Sequence, residues 1–170
     1  ALKEIQEYAK VTTLSRKVAE TYFVLTKKTG QWAKYISTLE SSEYDNNYKL
    51  KSLLLRAYIA DGQLDKAKSR LNDIAIRDNR YYEAAVELAY AENESDRVRS
   101  LLAEWTNTSG ASVNAFLANI QFLDSTGNDR EALRIAEKGI NKYGNNVKLN
   151  LIYSEMLIQN GRVSKAVEVL

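Results

Sequence analysis

The sequence predicts an all-α chain built from repeated pairs of antiparallel helices, and three observations carry that prediction. Glycines at 30, 62, 127 and 161 recur at a nearly common period, the last two 34 residues apart. Alanine returns five residues after three of them, at Ala67, Ala132 and Ala166. Proline is absent from all 170 residues, which leaves long helices uninterrupted.

Taken in chain order, residues 1–14 place Leu2, Ile5, Tyr8 and Val11 at helical spacing and read as the second helix of a preceding repeat. A weak copy of the repeat follows at 25–35, LTKKTGQWAKY, with Tyr35 where the other copies have alanine. Clear copies run AYIADGQLDKA over 57–67, FLDSTGNDREA over 122–132 and MLIQNGRVSKA over 156–166. The 65-residue gap from Gly62 to Gly127 holds one hidden copy around Asn93. Each glycine ends a helix in the left-handed conformation that only Gly, and less readily Asn, adopts cheaply. A polar residue then starts the next helix, with Asn128 and Ser95 as expected N-caps and acidic residues in the turn that follows. The alanine lets the two helices approach closely. Four places before the glycine, Thr26, Tyr58, Leu123 and Leu157 anchor the first helix on one stripe. Nine places after it, Leu39, Leu71, Ala136 and Leu170 do the same for the second.

This pattern resembles the tetratricopeptide repeat (TPR) family, whose 34-residue unit pairs two helices with a Gly before the turn and an Ala opening the second. The resemblance covers residues 15–170 and implies a right-handed superhelical solenoid of about five repeats, near 16–47, 48–78, 79–112, 113–146 and 147–170. First helices are then expected at about 16–29, 48–61, 80–92, 113–126 and 147–160, and second helices at about 31–43, 63–77, 95–106, 129–142 and 163–170. The chain departs from the family in two ways. Asn47, Asn79 and Gly144 stand where it has proline, and Phe23, Leu55 and Ile120 where it has a small residue. An array cut at both ends reads as part of a longer protein.

In the family, the first helix of each repeat lines a concave groove. Carried over position by position, the resemblance implies a partner-binding surface of Lys17, Glu20, Val24 and Lys27, then Lys49, Ser52, Arg56 and Ile59. Arg80, Glu83, Glu87 and Tyr90 follow in the third repeat, Asn114, Leu117, Gln121 and Asp124 in the fourth, and Lys148, Leu151, Glu155 and Ile158 in the fifth. The partner this implies is a protein or peptide segment held within a multiprotein assembly. Clamping of a chaperone's C-terminal carboxylate is opposed by the pairs Glu20/Val24, Ser52/Arg56, Glu83/Glu87, Leu117/Gln121 and Leu151/Glu155, which replace the Lys and Asn that this clamp uses in the family.

Chemistry finds little footing. With no His and no Cys, the commonest general base, the commonest zinc ligand and every thiolate are missing, so no catalytic residue, metal or cofactor is expected. Glu83 and Glu87 read as a solvated acidic face, and Asp124, Asp129 and Glu131 lack calcium-loop spacing. Gly139 and Gly144 lack the Lys-Ser/Thr and the preceding strand of a phosphate loop. Tyr81 and Tyr82 read as packing and not as base-stacking platforms. Asn119 stands where sister repeats have Leu54 and Tyr153, so a hydrogen-bonded partner is expected there.

Charge is graded. Residues 1–80 carry 15 basic against 10 acidic groups and residues 81–170 carry 9 against 12, or +5 and −3. The acidic half and the short repeats oppose continuous RNA tracking of the pentatricopeptide kind, which stands as a second alternative. A first alternative comes by analogy with degenerate, proline-poor arrays in bacterial exopolysaccharide-export and pilus-assembly proteins. It favours the periplasm or cell envelope over the cytoplasm and admits polysaccharide as a ligand.

Overall fold

The computed structural model describes residues 1–9, 14–40 and 48–169, the side chains of Tyr48 and Lys49 excepted. Among the described residues there are eleven helices and no strand. They are α1 (Leu2–Tyr8), α2 (Arg16–Thr29), α3 (Trp32–Leu39), α4 (Tyr48–Ala60), α5 (Leu64–Asn72) and α6 (Asn79–Ala91), then α7 (Ser95–Asn107), α8 (Val113–Ser125), α9 (Asp129–Tyr143), α10 (Val147–Gln159) and α11 (Val163–Val169). The all-α helix-turn-helix class follows directly, with α2, α4, α6, α8 and α10 as first helices of their repeats. Val11 and Leu170 lie outside the described residues. In α1, Leu2 and Ile5 are half-buried while Tyr8 is exposed, so the expected stripe is only partly covered.

The chain divides into two compact units, Ala1–Ser95 and Asp96–Leu170. In the N-terminal unit α2 packs on α1, α3 and α4, α4 packs on α3, α5 and α6, and α5 packs on α6. In the C-terminal unit α8 packs on α9, α9 on α10, and α10 on α11.

The turns follow the expected chemistry. Gly30, Gly62, Gly127 and Gly161 have φ of 69°, 77°, 70° and 73°, and Asn93, at 59°, is the one non-glycine with positive φ among the described residues. At four of these turns the next residue's N–H donates five places back: Gln63 to Tyr58 O, Glu94 to Ala89 O, Asn128 to Leu123 O and Arg162 to Leu157 O, all at 2.8–2.9 Å. This is the 6→1 bond of a Schellman ending, which satisfies a carbonyl the helix would otherwise leave unpaired. The accepting residues Tyr58, Ala89, Leu123 and Leu157 are each at most 2% exposed, so one motif sets both the turn and the core contact. Gly30 closes differently, with its own N–H bonded to Thr26 O at 2.8 Å.

The capping expectation requires correction. Ser95 is the first residue inside α7, and Asn128, though it precedes α9, makes no capping bond; its Nδ2 donates backward to Thr126 O at 3.0 Å. Side-chain caps stand instead at three of the first helices: Ser15 accepts from Val18 N, Asp78 from Arg80 N and Tyr81 N, and Asn146 from Leu149 N, whereas Ser112, though extended, makes no side-chain cap bond to α8. The backbone explains the difference. Gln31, Gln63 and Asn128 leave the tight left-handed turn with ψ of 52°, 60° and 48°, whereas Ser15, Asp78 and Asn146 are extended, as a capping side chain requires.

Second helices are shorter than expected in the first half. α5 ends at Asn72 instead of near 77, because Asp73-Ile74-Ala75-Ile76-Arg77 forms a connector whose Ile74 still reaches the core while Asp78 caps α6. The small-residue positions pack as expected. Ala67, Ala132 and Ala166 are at most 1% exposed, and Val98 takes the place in the hidden copy. Tyr35 is also fully buried; it meets Tyr22, Phe23 and Trp32 at centroid distances of 4.8, 5.7 and 6.3 Å, and its hydroxyl donates to Ala19 O at 3.2 Å. Where the second helix brings a ring, the first helix offers a methyl. The fourth repeat reverses this: Phe116 is the ring on α8, and Gly139 on α9 lies so near that an added Cβ would stand 3.2 Å from it. Asn119, 3% exposed, finds its expected partners in Leu102 O at 3.4 Å and Thr106 Oγ1 at 3.3 Å.

Candidate functional site

The first helices of successive repeats leave an open cleft in each unit. In the N-terminal unit it measures about 300 Å³. Phe23 and Lys27 of α2, Arg56 and Ile59 of α4, and Glu87 and Tyr90 of α6 line it, together with Trp32 and Ala60. Helical spacing puts each pair on one face, since residues three or four apart are neighbours. Arg56 organises the floor. Its Nε and Nη2 donate to the two Glu87 carboxylate oxygens at 2.8 and 2.6 Å, and its guanidinium lies 5.2 Å from the centre of the Phe23 ring. The planar fork of arginine suits this bidentate contact, which lysine could not reproduce. Burial alone would lower the Arg56 pKa, but the Glu87 hydrogen bond and the charges of Glu87 and Glu83 raise it, so the guanidinium is charged throughout.

The C-terminal unit holds a second cleft of about 240 Å³. Leu117, Ile120, Gln121 and Asp124 of α8 form one wall, and Lys148, Ile152, Glu155, Met156 and Gln159 of α10 form the other. Ile120 and Met156 supply buried apolar floor, whereas Gln121, Asp124, Lys148 and Glu155 are exposed. Beside it, on the same helix, Val147, Leu151 and Ile158 are 72%, 49% and 52% exposed.

Several positions carried over from the family resemblance are thus brought together: Lys27, Arg56, Ile59, Glu87 and Tyr90 in one cleft, and Leu117, Gln121, Asp124, Lys148 and Glu155 in the other. Others fall elsewhere. Lys17 is exposed at the start of α2, and Glu20 is tied to Arg16 at 2.6 Å on the same helix. Ser52 is 7% exposed and buried in α4, so it presents no surface. Arg80 is drawn to Asp78 at 3.4 Å, beside the cap of its own helix. Glu83 is half-buried and its charge acts on Arg56, and Asn114 is exposed near the start of α8. The Lys49 side chain lies outside those described. The reading of Glu83 and Glu87 as a merely solvated pair is corrected, since Glu87 anchors a cation from the neighbouring repeat.

The clefts also take residues outside the positions carried over, among them Phe23, Trp32, Ala60, Ile120, Ile152, Met156 and Gln159. Of these, Phe23 and Ile120 carried a signal in the sequence, since they occupy the place where the family has a small residue. Tyr81 and Tyr82 pack edge to face at 5.3 Å, with Tyr82 buried and Tyr81 half-buried. Among the described residues no group of three or more acidic side chains is placed to hold a metal ion. No helix among them is long and apolar enough to cross a membrane.

The fold has solved counterparts. MamA from AMB-1 superposes with a TM-score of 0.57 at 16% identity, over 91% of this chain and 87% of that one. MamA from MSR-1 does so with a TM-score of 0.54 at 16% identity, over 91% of each chain. Both are TPR-like helical solenoids, and this chain has their fold. No protein-family model matches the sequence. The comparison with curated proteins gives no significant match.

Proposed function

We propose that the chain is a non-catalytic protein-interaction scaffold that holds a segment of a partner protein against the first-helix face of its repeats, as part of a multiprotein assembly. One observation carries this reading. In each unit, side chains from adjacent first helices converge on an open cleft that mixes apolar floor with charged rim. Such mixed lining is how protein interfaces are composed, with an apolar centre and a polar border. Both clefts are smaller than or at the lower limit of small-molecule sites, and each suits one or two side chains of a longer partner.

Mixed charge favours protein over RNA. The Arg56 cation is engaged by Glu87, and the C-terminal cleft carries two carboxylates against one lysine, so neither offers a run of free cations for phosphates. Neither the polysaccharide nor the export reading gains an observation of its own.

The test is affinity capture from native extract, with and without nuclease, using the wild type and a variant carrying Lys27→Glu and Gln121→Trp. Both positions are exposed, so the fold should survive, which circular dichroism checks. A defined protein retained by the wild type, indifferent to nuclease and lost from the variant supports the reading. Capture abolished by nuclease replaces it with RNA binding, and equal retention by both proteins removes the first-helix face as the site.

A further inference from the structure

We infer that the C-terminal cleft takes an extended peptide segment with an acidic residue at one end, an apolar side chain in the middle and a basic residue at the other. This rests on the scaffold reading and assigns the chemistry of its ligand. The cleft is polarised along its length. Because α8 and α10 occupy the same place in successive repeats, equivalent residues stand 34 apart, so Lys148 stands level with Asn114 at one end. Glu155 stands level with Gln121, and Asp124 lies in the last turn of α8 at the other end. The cation therefore sits at the helices' N-terminal end and the carboxylates toward their C-terminal ends, where the carbonyl dipoles add negative potential.

These charges are uncommitted. Among the described residues no ion pair or hydrogen bond engages the side chains of Lys148, Asp124 or Glu155, in contrast to Arg56 and Glu87 in the other unit. Between the charged ends lie Leu117, Ile120, Ile152 and Met156, and the exposed stripe of Val147, Leu151 and Ile158 runs alongside. A thioether in such a floor adapts to different apolar side chains. From Lys148 to Gln159 is eleven residues of helix, about 16 Å. An extended chain covers that in about five residues at ~3.3 Å each, and its alternate side chains point the same way. The pattern that fits is an acidic residue, an apolar residue two places on and a basic residue two places further.

Met156 is the chain's only methionine, so a single labelled methyl reports on the cleft floor. The probe is the blocked peptide Glu-Ser-Leu-Ser-Lys, titrated against methyl-labelled full-length chain by NMR. Two control peptides, Glu-Ser-Leu-Ser-Glu and Glu-Ser-Ser-Ser-Lys, remove the basic end and the apolar anchor in turn. The expected result is a saturable shift of the Met156 methyl by the first peptide, with about tenfold weaker binding of each control. The double variant Asp124→Lys/Glu155→Lys, both at exposed positions, should weaken the first peptide to a similar degree while leaving Trp105 fluorescence unchanged. No saturable shift, or equal affinity across the peptides or between wild type and variant, overturns the inference. If the methyl stays unmoved while capture, repeated with Gln121→Trp alone, still yields a partner lost from that single variant, only the ligand chemistry falls. If capture fails as well, the scaffold reading falls with it.

Discussion

Replacing the turn glycines by alanine isolates a single physical term. At Gly62 and Gly127 an added Cβ meets nothing within 4 Å, so no packing cost enters. What remains is the left-handed backbone, at φ of 77° and 70°, which costs an L-residue roughly 1–2 kcal/mol. Alanine also restricts the unfolded chain, returning about 0.4–1 kcal/mol. Gly62→Ala and Gly127→Ala should therefore each lose about 1 kcal/mol net. Asn93 already carries a side chain at φ 59°, so Asn93→Gly should be neutral or slightly stabilising, and Asn93→Ala should lose up to about 1 kcal/mol. The assay is urea unfolding followed by fluorescence. The only two tryptophans, Trp32 and Trp105, lie one in each unit and both are buried. In a Trp105→Phe background Trp32 reports on Gly62 and Asn93; in a Trp32→Phe background Trp105 reports on Gly127. With slopes of about 1–3 kcal/mol per molar urea, each glycine variant should shift its own midpoint by about 0.3–1 M. Losses above about 3 kcal/mol, or none, would refute the argument that conformation alone is at stake.

Three further outcomes follow from other parts of the molecule. A double-mutant cycle on Arg56→Met and Glu87→Gln should give a coupling of about 1 kcal/mol in urea unfolding, above a typical exposed pair because the contact is bidentate, and lower in high salt. Gly139→Ala gains about 1 kcal/mol of helix propensity but overpacks the Phe116 ring, so a net loss of about 1 kcal/mol is expected by thermal melting; Gly139→Ala/Phe116→Leu should recover it. Burial and the hydrogen bond to Glu40 push the Tyr58 phenol up to about 12, and burial raises Tyr35 further still. Both keep their protons in the folded state after the unfolded chain has lost them. Stability is then full below pH 10 and falls by about 1.4 kcal/mol per pH unit per tyrosine between pH 10 and about 12, to be checked by denaturation at stepped pH with phenolate absorbance.

Much of the fold was legible in the sequence because its signals are local. A positive φ demands Gly or Asn whatever surrounds it, so four glycines and Asn93 marked the turns. The alanine and leucine offsets follow from helical period alone. Asn119 was legible for the same kind of reason, since a lone amide in an apolar column must find a partner, and Thr106 with the Leu102 carbonyl supplies it. The caps were misplaced because capping depends on ψ at the residue before the helix, and that angle is set by how tightly the preceding turn closes. The end of α5 was misplaced because Asp78 takes up the start of the next helix.

The clefts belong to a different level. That Arg56 and Glu87 in one unit, and Lys148 and Asp124 in the other, take the partner-facing places of their own helices followed from the resemblance, but whether each would be open, paired or buried did not. Ser52 takes such a place in α4 and is covered, and Arg56 is held by a carboxylate 31 residues away. Residue order alone dictates where the backbone must turn and which stripe of each helix must be dry, both consequences of single-residue conformation and transfer from water. Folding in three dimensions settled which charges find partners and which bulky side chains, Phe23 and Ile120 among them, line a cleft. Those depend on distances between residues remote in the chain, and no local property encodes them.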